Sequence, residues 1–143
     1  VHHAIGAIHA GWRGCAAGIV EKTVQTMTQT FGTQPKDLLA AVGPCIGPCC
    51  FETDQDVPDA MTAALGAQAA PFMQRRGVKW HVDLAGLNRQ WLLRAGVLPD
   101  HVETCGLCTA CHPDLFWSHR KMGQARGSQI AMAALPLPEE HLP

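Results

Sequence analysis

Four short stretches hold the side chains whose types and spacing could do chemistry. The first is His9-Ala10-Gly11-Trp12-Arg13-Gly14, which follows an apolar run from Ala4 to Ile8 and opens into a segment of helical periodicity. A histidine where a strand gives way to a glycine-flanked turn stands at a loop edge, where α/β proteins tend to place chemistry rather than packing. The glycines let backbone approach a ligand closely, Trp12 offers a stacking face, and Arg13 offers a planar fork for an anion. The same residues would also suit a tight strand-to-helix turn with a solvated Arg and a packed Trp.

The second stretch is Gly43-Pro44-Cys45-Ile46-Gly47-Pro48-Cys49-Cys50-Phe51-Glu52. Two Gly-Pro steps forbid a helix and fix a stiff, extended turn carrying three thiols. A rigid loop of this kind suits a metal or nucleophile site, although small cysteines also fill space beneath loops. A thiolate here with His9 would suit zinc, which wants a third protein ligand, or a Cys–His nucleophile pair.

The third is Cys105-x-x-Cys108-x-x-Cys111-His112-Pro113, where two-residue spacers allow thiolates to wrap one metal or cluster. A ferredoxin run would need a fourth Cys before the proline, and none is there. The fourth is Asp114-Leu115-Phe116-Trp117-Ser118-His119-Arg120-Lys121, with Arg126 beyond it. Alternating aromatic and polar residues suit a strand whose Ser, His and Arg share a polar rim able to hold phosphate or ribose, or a solvated edge strand.

The elements that must position these residues follow from periodicity. Ala4–Ile8 and Leu38–Val42 read as buried strands, with a helix from about Ala16 to Phe31 between them, stopped by Gly32. A second helix opens near Pro58, with Asp56 as cap, and runs to about Ala70. Lys79–Val82 reads as a short strand, and Asp83 caps a third helix whose Leu84, Leu87, Trp91 and Leu92 share a face ended by Gly96. Val102–Thr104, residues 116–118 and residues 129–135 read as further strands. Helices and strands alternate only in the first half, so the expected fold is α+β, a large mixed sheet flanked by helices in one domain over residues 1–135. Residues 136–143, rich in Pro and Glu, read as a loose tail.

Composition narrows the function classes. The chain has 143 residues, 47% of them hydrophobic, enough for one substantial core. A net charge of −1 without charge runs points to neither nucleic acid nor a membrane surface, and the apolar stretches are too short to span a bilayer. Seven cysteines, an odd number and clustered, fit thiolate or metal chemistry in a reducing compartment, by default the cytoplasm, better than a disulfide scaffold. The chain enters a strand almost at Val1 and so reads as a piece of a longer protein.

Taken in order, these motifs, with Asp83-Leu84 and Asn88, Cys108-Thr109, and Gly123 to Arg126, resemble the multicopper polyphenol oxidase or laccase-domain family over about residues 4 to 135. Its members are also described as purine nucleoside-processing enzymes. The resemblance implies a zinc-bearing pocket that takes purine nucleosides and phosphate, phosphorolysing adenosine, inosine, guanosine and methylthioadenosine and deaminating adenosine; the older assignment is copper-dependent oxidation of phenols. It implies His9 and Cys49 as metal ligands, with a further His in the following helix as the third. The position of that His falls near Leu65 or Gly66, and the helix has none; His81 is the nearest in sequence. Family members also carry an N-terminal segment lining the pocket, so this chain is expected to be an N-terminally truncated domain. His9, Cys49 and Arg13 are then the catalytic candidates, and Trp12, Phe116, Ser118 and Arg120 the substrate-binding ones. A true laccase is disfavoured because no His-x-His pair occurs among the eight histidines. A non-enzymatic zinc or iron–sulfur module on Cys105, Cys108 and Cys111 is the remaining alternative.

Overall fold

The computed structural model of the chain describes residues 4–135, so the tail at 136–143 lies outside the described residues. The fold is mixed α+β in a single domain. Its strands divide between two small sheets, a parallel pair and an antiparallel trio, where one large mixed sheet is expected from the sequence.

The first helical stretch is two helices, α1 (Trp12–Ala16) and α2 (Ile19–Phe31). Gly18 separates them with a left-handed φ of 68°, and a Cβ there would stand 3.4 Å from the Trp91 ring. The left-handed turn is what calls for glycine here. Helix α2 turns Val20, Val24 and Met27 into the core, the spacing of one helical face, and ends at Gly32 as expected.

Strand β1 (Ala40–Val42) runs parallel to β5 (Val102–Thr104), pairing Ala40 with Val102 and Val42 with Thr104. Strands β2 (Glu52–Thr53), β3 (Met73–Arg76) and β4 (Lys79–Val82) form the antiparallel sheet in the order β2-β4-β3. Arg76 pairs with Lys79 across a two-residue turn that begins at Gly77, a tight hairpin. Helix α3 (Asp56–Leu65) stops at Gly66, five residues short of the expected end, because the chain then winds as a 3-10 turn to Phe72. Asp56 is its first helical residue and Pro58 sits in its first turn, where a missing N–H is harmless.

Helix α4 (Leu84–Arg94) is the core's central rod, with Leu84, Leu87, Trp91 and Leu92 buried against Val20, Val24, Met61 and Val102. Asp83 caps it as expected, its Oδ1 accepting from the Gly86 N–H at 3.0 Å. A Cβ on Gly86 would fall 2.3 Å from the Phe72 ring, so only glycine lets the turn before β3 seat here.

Three expected strands are not strands. Residues 4–8 run extended beside α2, Gly6 lying against Met27 and Thr23, without a ladder partner among the described residues. Residues 116–118 leave a turn in which the N–H groups of Leu115 and Phe116 both bond to the His112 carbonyl. They lead into a one-turn helix, α5 (His119–Met122), in place of an edge strand. Residues 129–135 form no ladder, and Ile130 and Met132 stand exposed. Apolar alternation marks a chain that could pair; it does not supply the neighbour.

Candidate functional site

The parallel pair β1–β5 decides which motifs meet. Both strands end together, and the pairing continues past them: the Cys105 N–H bonds to the Val42 carbonyl at 2.9 Å, Cys45 bridges Cys108, and the Thr109 N–H bonds to the Cys45 carbonyl at 2.9 Å. The Gly-Pro loop and the loop from Cys105 to Cys111 are therefore carried side by side. Gly47 lies close against the second loop, where a Cβ would stand 3.1 Å from the Cys108 Cβ and 3.4 Å from the Cys49 sulfur.

The consequence is a cluster of four thiols. The Cys111 sulfur lies 3.5 Å from that of Cys49 and 3.4 Å from that of Cys50. With Cys108, all four sulfurs fall within 4.8 Å of one another, an arrangement able to hold a metal ion. Cys105 is outside this group; it follows the end of β5, and its spacing with Cys108 and Cys111 does not make the three-cysteine module considered from the sequence. Two cysteines of the Gly-Pro loop take its place, a pairing the spacing could not reveal because it depends on which strands pair.

Electrostatics single out Cys108 within the cluster. Burial acts to raise its thiol, but the backbone N–H groups of Gly47, Cys111 and Ala110 and the Cys49 thiol outweigh it and bring it down to about 6. Its neighbours move the other way. Cys49 is raised by burial and by its thiol contacts with Cys111 and Cys108, and Cys111 is raised first by its bond to Cys50. The hydrogen bond to Cys111 lowers Cys50, but burial and the Cys49 and Cys108 sulfurs raise it overall. The surrounding donors thus favour the thiolate at Cys108 over its three neighbours. Cys45, which is not among the four clustered sulfurs, is raised by burial and by the charge of Asp83.

Two residues brace the thiol-bearing turn from outside. His81 donates from Nδ1 to the Pro48 carbonyl at 2.7 Å, directly before Cys49, with Nε2 3.9 Å from the Glu52 carboxylate. Arg120 donates to the carbonyls of Cys50 (3.4 Å) and Glu52 (3.0 Å) and lies 5.7 Å over the buried Phe51 ring. Sequence reading gave neither residue this role, because both depend on which segments meet; His81, for one, stands opposite Glu52 across the antiparallel sheet.

The other expected site residues lie as follows. His9 is exposed ahead of α1, its Nε2 3.5 Å from where a Cβ on Gly11 would be. Arg13 lies flat over Trp12, 4.3 Å from the ring centroid, while Trp12 packs against the core. Arg13 makes no ion pair among the described residues. Ser118 is buried and caps α5, its Oγ accepting from the Lys121 N–H at 3.4 Å. Phe116 is half-buried, and His119 accepts from Arg126 at 3.3 Å. Among the described residues, His9 belongs to no set of three metal donors, and α3 supplies none. A His9–Cys49–third-ligand zinc site is therefore incomplete in this set of residues, while Cys49 faces three other thiols. A separate cavity of about 360 Å³ lies between the Gly-Pro loop and the start of α4, lined by Cys45, Phe72, Asp83 and Arg89 among others. No described helix is long and apolar enough to cross a membrane.

Comparison with known proteins places this site in context. Residues 1–136 match the family described as multi-copper polyphenol oxidoreductase laccase. The chain is 36% identical over 128 residues to purine nucleoside phosphorylase YlmD of Geobacillus stearothermophilus, covering 89% of this chain and 47% of that protein. It is 38% identical over 127 residues to a purine nucleoside phosphorylase of Bacteroides thetaiotaomicron, covering 88% and 47%. Among solved structures, Bacillus licheniformis hypothetical protein YfiH superposes with a TM-score of 0.74 at 33% identity, covering 79% of this chain and 43% of that one. YlmD of G. stearothermophilus superposes at 0.73 and 36%, covering 79% and 42%. The chain spans about half the length of the curated relatives it matches.

Proposed function

The chain belongs to the multi-copper polyphenol oxidoreductase laccase family, and on that footing we propose that it contributes to phosphorolysis of purine nucleosides. The observation that carries this reading is its similarity, across 89% of its length, to a protein named purine nucleoside phosphorylase. In that reaction a phosphate oxygen bonds to C1′ of the ribose as the C1′–N9 bond breaks. The base leaves with the electron pair and takes up a proton, and ribose 1-phosphate remains. Adenosine, inosine, guanosine and methylthioadenosine are the substrates we assign, with adenosine deamination as a companion activity and the cytoplasm as the compartment.

Each residue has a role in this proposal. Arg13, exposed and without an ion-pair partner among the described residues, holds the phosphate. Arg120 assists with the edge of its guanidinium left over from the Cys50 and Glu52 carbonyls. Phe116 and the open part of Trp12 stack on the purine, and Ser118 orders the turn that presents Arg120. His9 and Cys49 are the catalytic pair and the donors offered to zinc, which when bound would supply an activated water for deamination. Copper oxidation of phenols draws no support from the ligand set, which lacks His-x-His pairs.

The test is phosphate-dependent release of hypoxanthine from inosine, followed by chromatography together with ribose 1-phosphate. Arg13→Ala should raise the KM for phosphate by about tenfold or more, the loss of one charge-assisted contact. Base release that proceeds equally well without phosphate would contradict the reading.

A further inference from the structure

We propose that Cys49, Cys50, Cys108 and Cys111 form a tetrathiolate site for zinc(II), separate from any site that uses His9. A zinc–thiolate bond of about 2.3 Å gives a tetrahedron with edges of about 3.8 Å. Two of the sulfur separations are 3.4 and 3.5 Å, and all lie within 4.8 Å. The four sulfurs therefore already stand at the spacing of such a cage.

Several independent features suit this metal. The donors are all soft sulfur, and four thiolates select zinc or an iron–sulfur cluster over hard cations. The two pairs come from different loops, and each loop is held before any metal arrives. The β1–β5 ladder and its continuation through Cys45 and Thr109 fix one against the other, while His81 and Arg120 fix the Gly-Pro turn through its carbonyls. The N–H groups of Gly47, Ala110 and Cys111 point at the Cys108 sulfur, the outer-shell donation that stabilises a bound thiolate. Cys49 and Cys111 are exposed, so the metal has an entry path, whereas Cys108 forms a buried floor. On binding, zinc displaces the thiol protons to solvent.

Because Cys49 is one corner, a filled cage excludes the His9–Cys49 zinc pair of the proposed function, the one point where this inference bears on that reading. The phosphate and purine contacts proposed above do not involve the cage, so phosphorolysis and the thiol site fail separately.

Cobalt(II) added to the reduced, chelator-stripped full chain is the probe. One cobalt per chain is expected, with the intense sulfur-to-metal charge-transfer bands and visible spectrum of a tetrahedral tetrathiolate, reversed by zinc. Cys111→Ser and Cys50→Ser should each weaken binding by more than about 100-fold, beyond the loss of an outer-shell partner, with circular dichroism unchanged. Cys105→Ser and His9→Ala should leave the bands intact. Loss of the bands in His9→Ala with survival in Cys111→Ser would overturn the proposal, since the site would then be the His9–Cys49 one. It would equally be overturned by a folded, reduced chain that binds no cobalt, or by purified protein carrying iron with acid-labile sulfide.

Discussion

The segment around His9 and the thiol-bearing loops are both rich in chemistry, but the protein builds them differently. The Gly-Pro loop is locked from three directions, by β5 and its continuation, by His81 beneath Pro48, and by Arg120 over Phe51. Arg13 sits on a short helix whose Trp12 is anchored, His9 lies just ahead of that helix, and both are exposed. The first region gathers four thiols held by their neighbours among the described residues; the second presents its polar groups without such partners among them. A preorganised cluster and an exposed fork thus coexist in one domain, and only the cluster has its partners in place.

The largest way to break this contrast is through the element behind both regions. Leu87→Ala would leave a void beneath α4, where Leu87 is fully buried, and should cost about 2–5 kcal/mol. Urea unfolding followed by tryptophan fluorescence measures this. If α4 is the shared support, the thiol spectrum with cobalt and the folded stability should decline together.

A medium effect separates the regions by pH. Cys108 is held down to about 6 from an unfolded value of 9.0, so the unfolded chain binds the extra proton between those values and stability rises with pH there. The contribution is present above about pH 9 and lost as pH falls through 6. With chelator and reductant present, the wild-type melting temperature should therefore fall from pH 9 to pH 6 more steeply than that of Cys108→Ser. Parallel profiles would mean that Cys108 is an ordinary thiol.

The smallest effect sharpens the comparison glycine by glycine. Gly47→Ala pushes a methyl to within 3.1 Å of Cys108, so the loops must part by some tenths of an ångström and cobalt affinity should drop several-fold. Gly11→Ala meets only the His9 ring at 3.5 Å, with extended backbone, and should cost at most about 1 kcal/mol, the price of a weaker helix start. Equal effects of the two on metal binding would remove the distinction between a locked and an open region.

Much of this was legible in the sequence where the chain's own local chemistry decides. Asp83 announces its cap, Gly32 its helix end, and Lys79–Val82 its strand, because each depends on neighbours within a turn or two. The split at Gly18 was hidden because the apolar periodicity continues on both sides of it, while its left-handed φ leaves no mark on that pattern. The thiol cluster was legible only as two separate halves. Cys49 and Cys50 meet Cys111 across 62 and 61 positions, and nothing in their spacing says that β1 pairs with β5. The apolar runs at 4–8 and 129–135 misled for the same reason, since a strand is defined by a partner that sequence periodicity does not name.

The central claim, that the two loops make one thiol site while His9 stands apart, is tested most directly by mapping thiol protection with mass spectrometry. Reduced protein is alkylated with and without one equivalent of zinc, and each cysteine is read by its peptide. Joint protection of Cys49, Cys50, Cys108 and Cys111, with Cys105 modified equally in both samples and His9→Ala behaving as wild type, is the predicted result. Protection of Cys49 alone, abolished by His9→Ala, would contradict it.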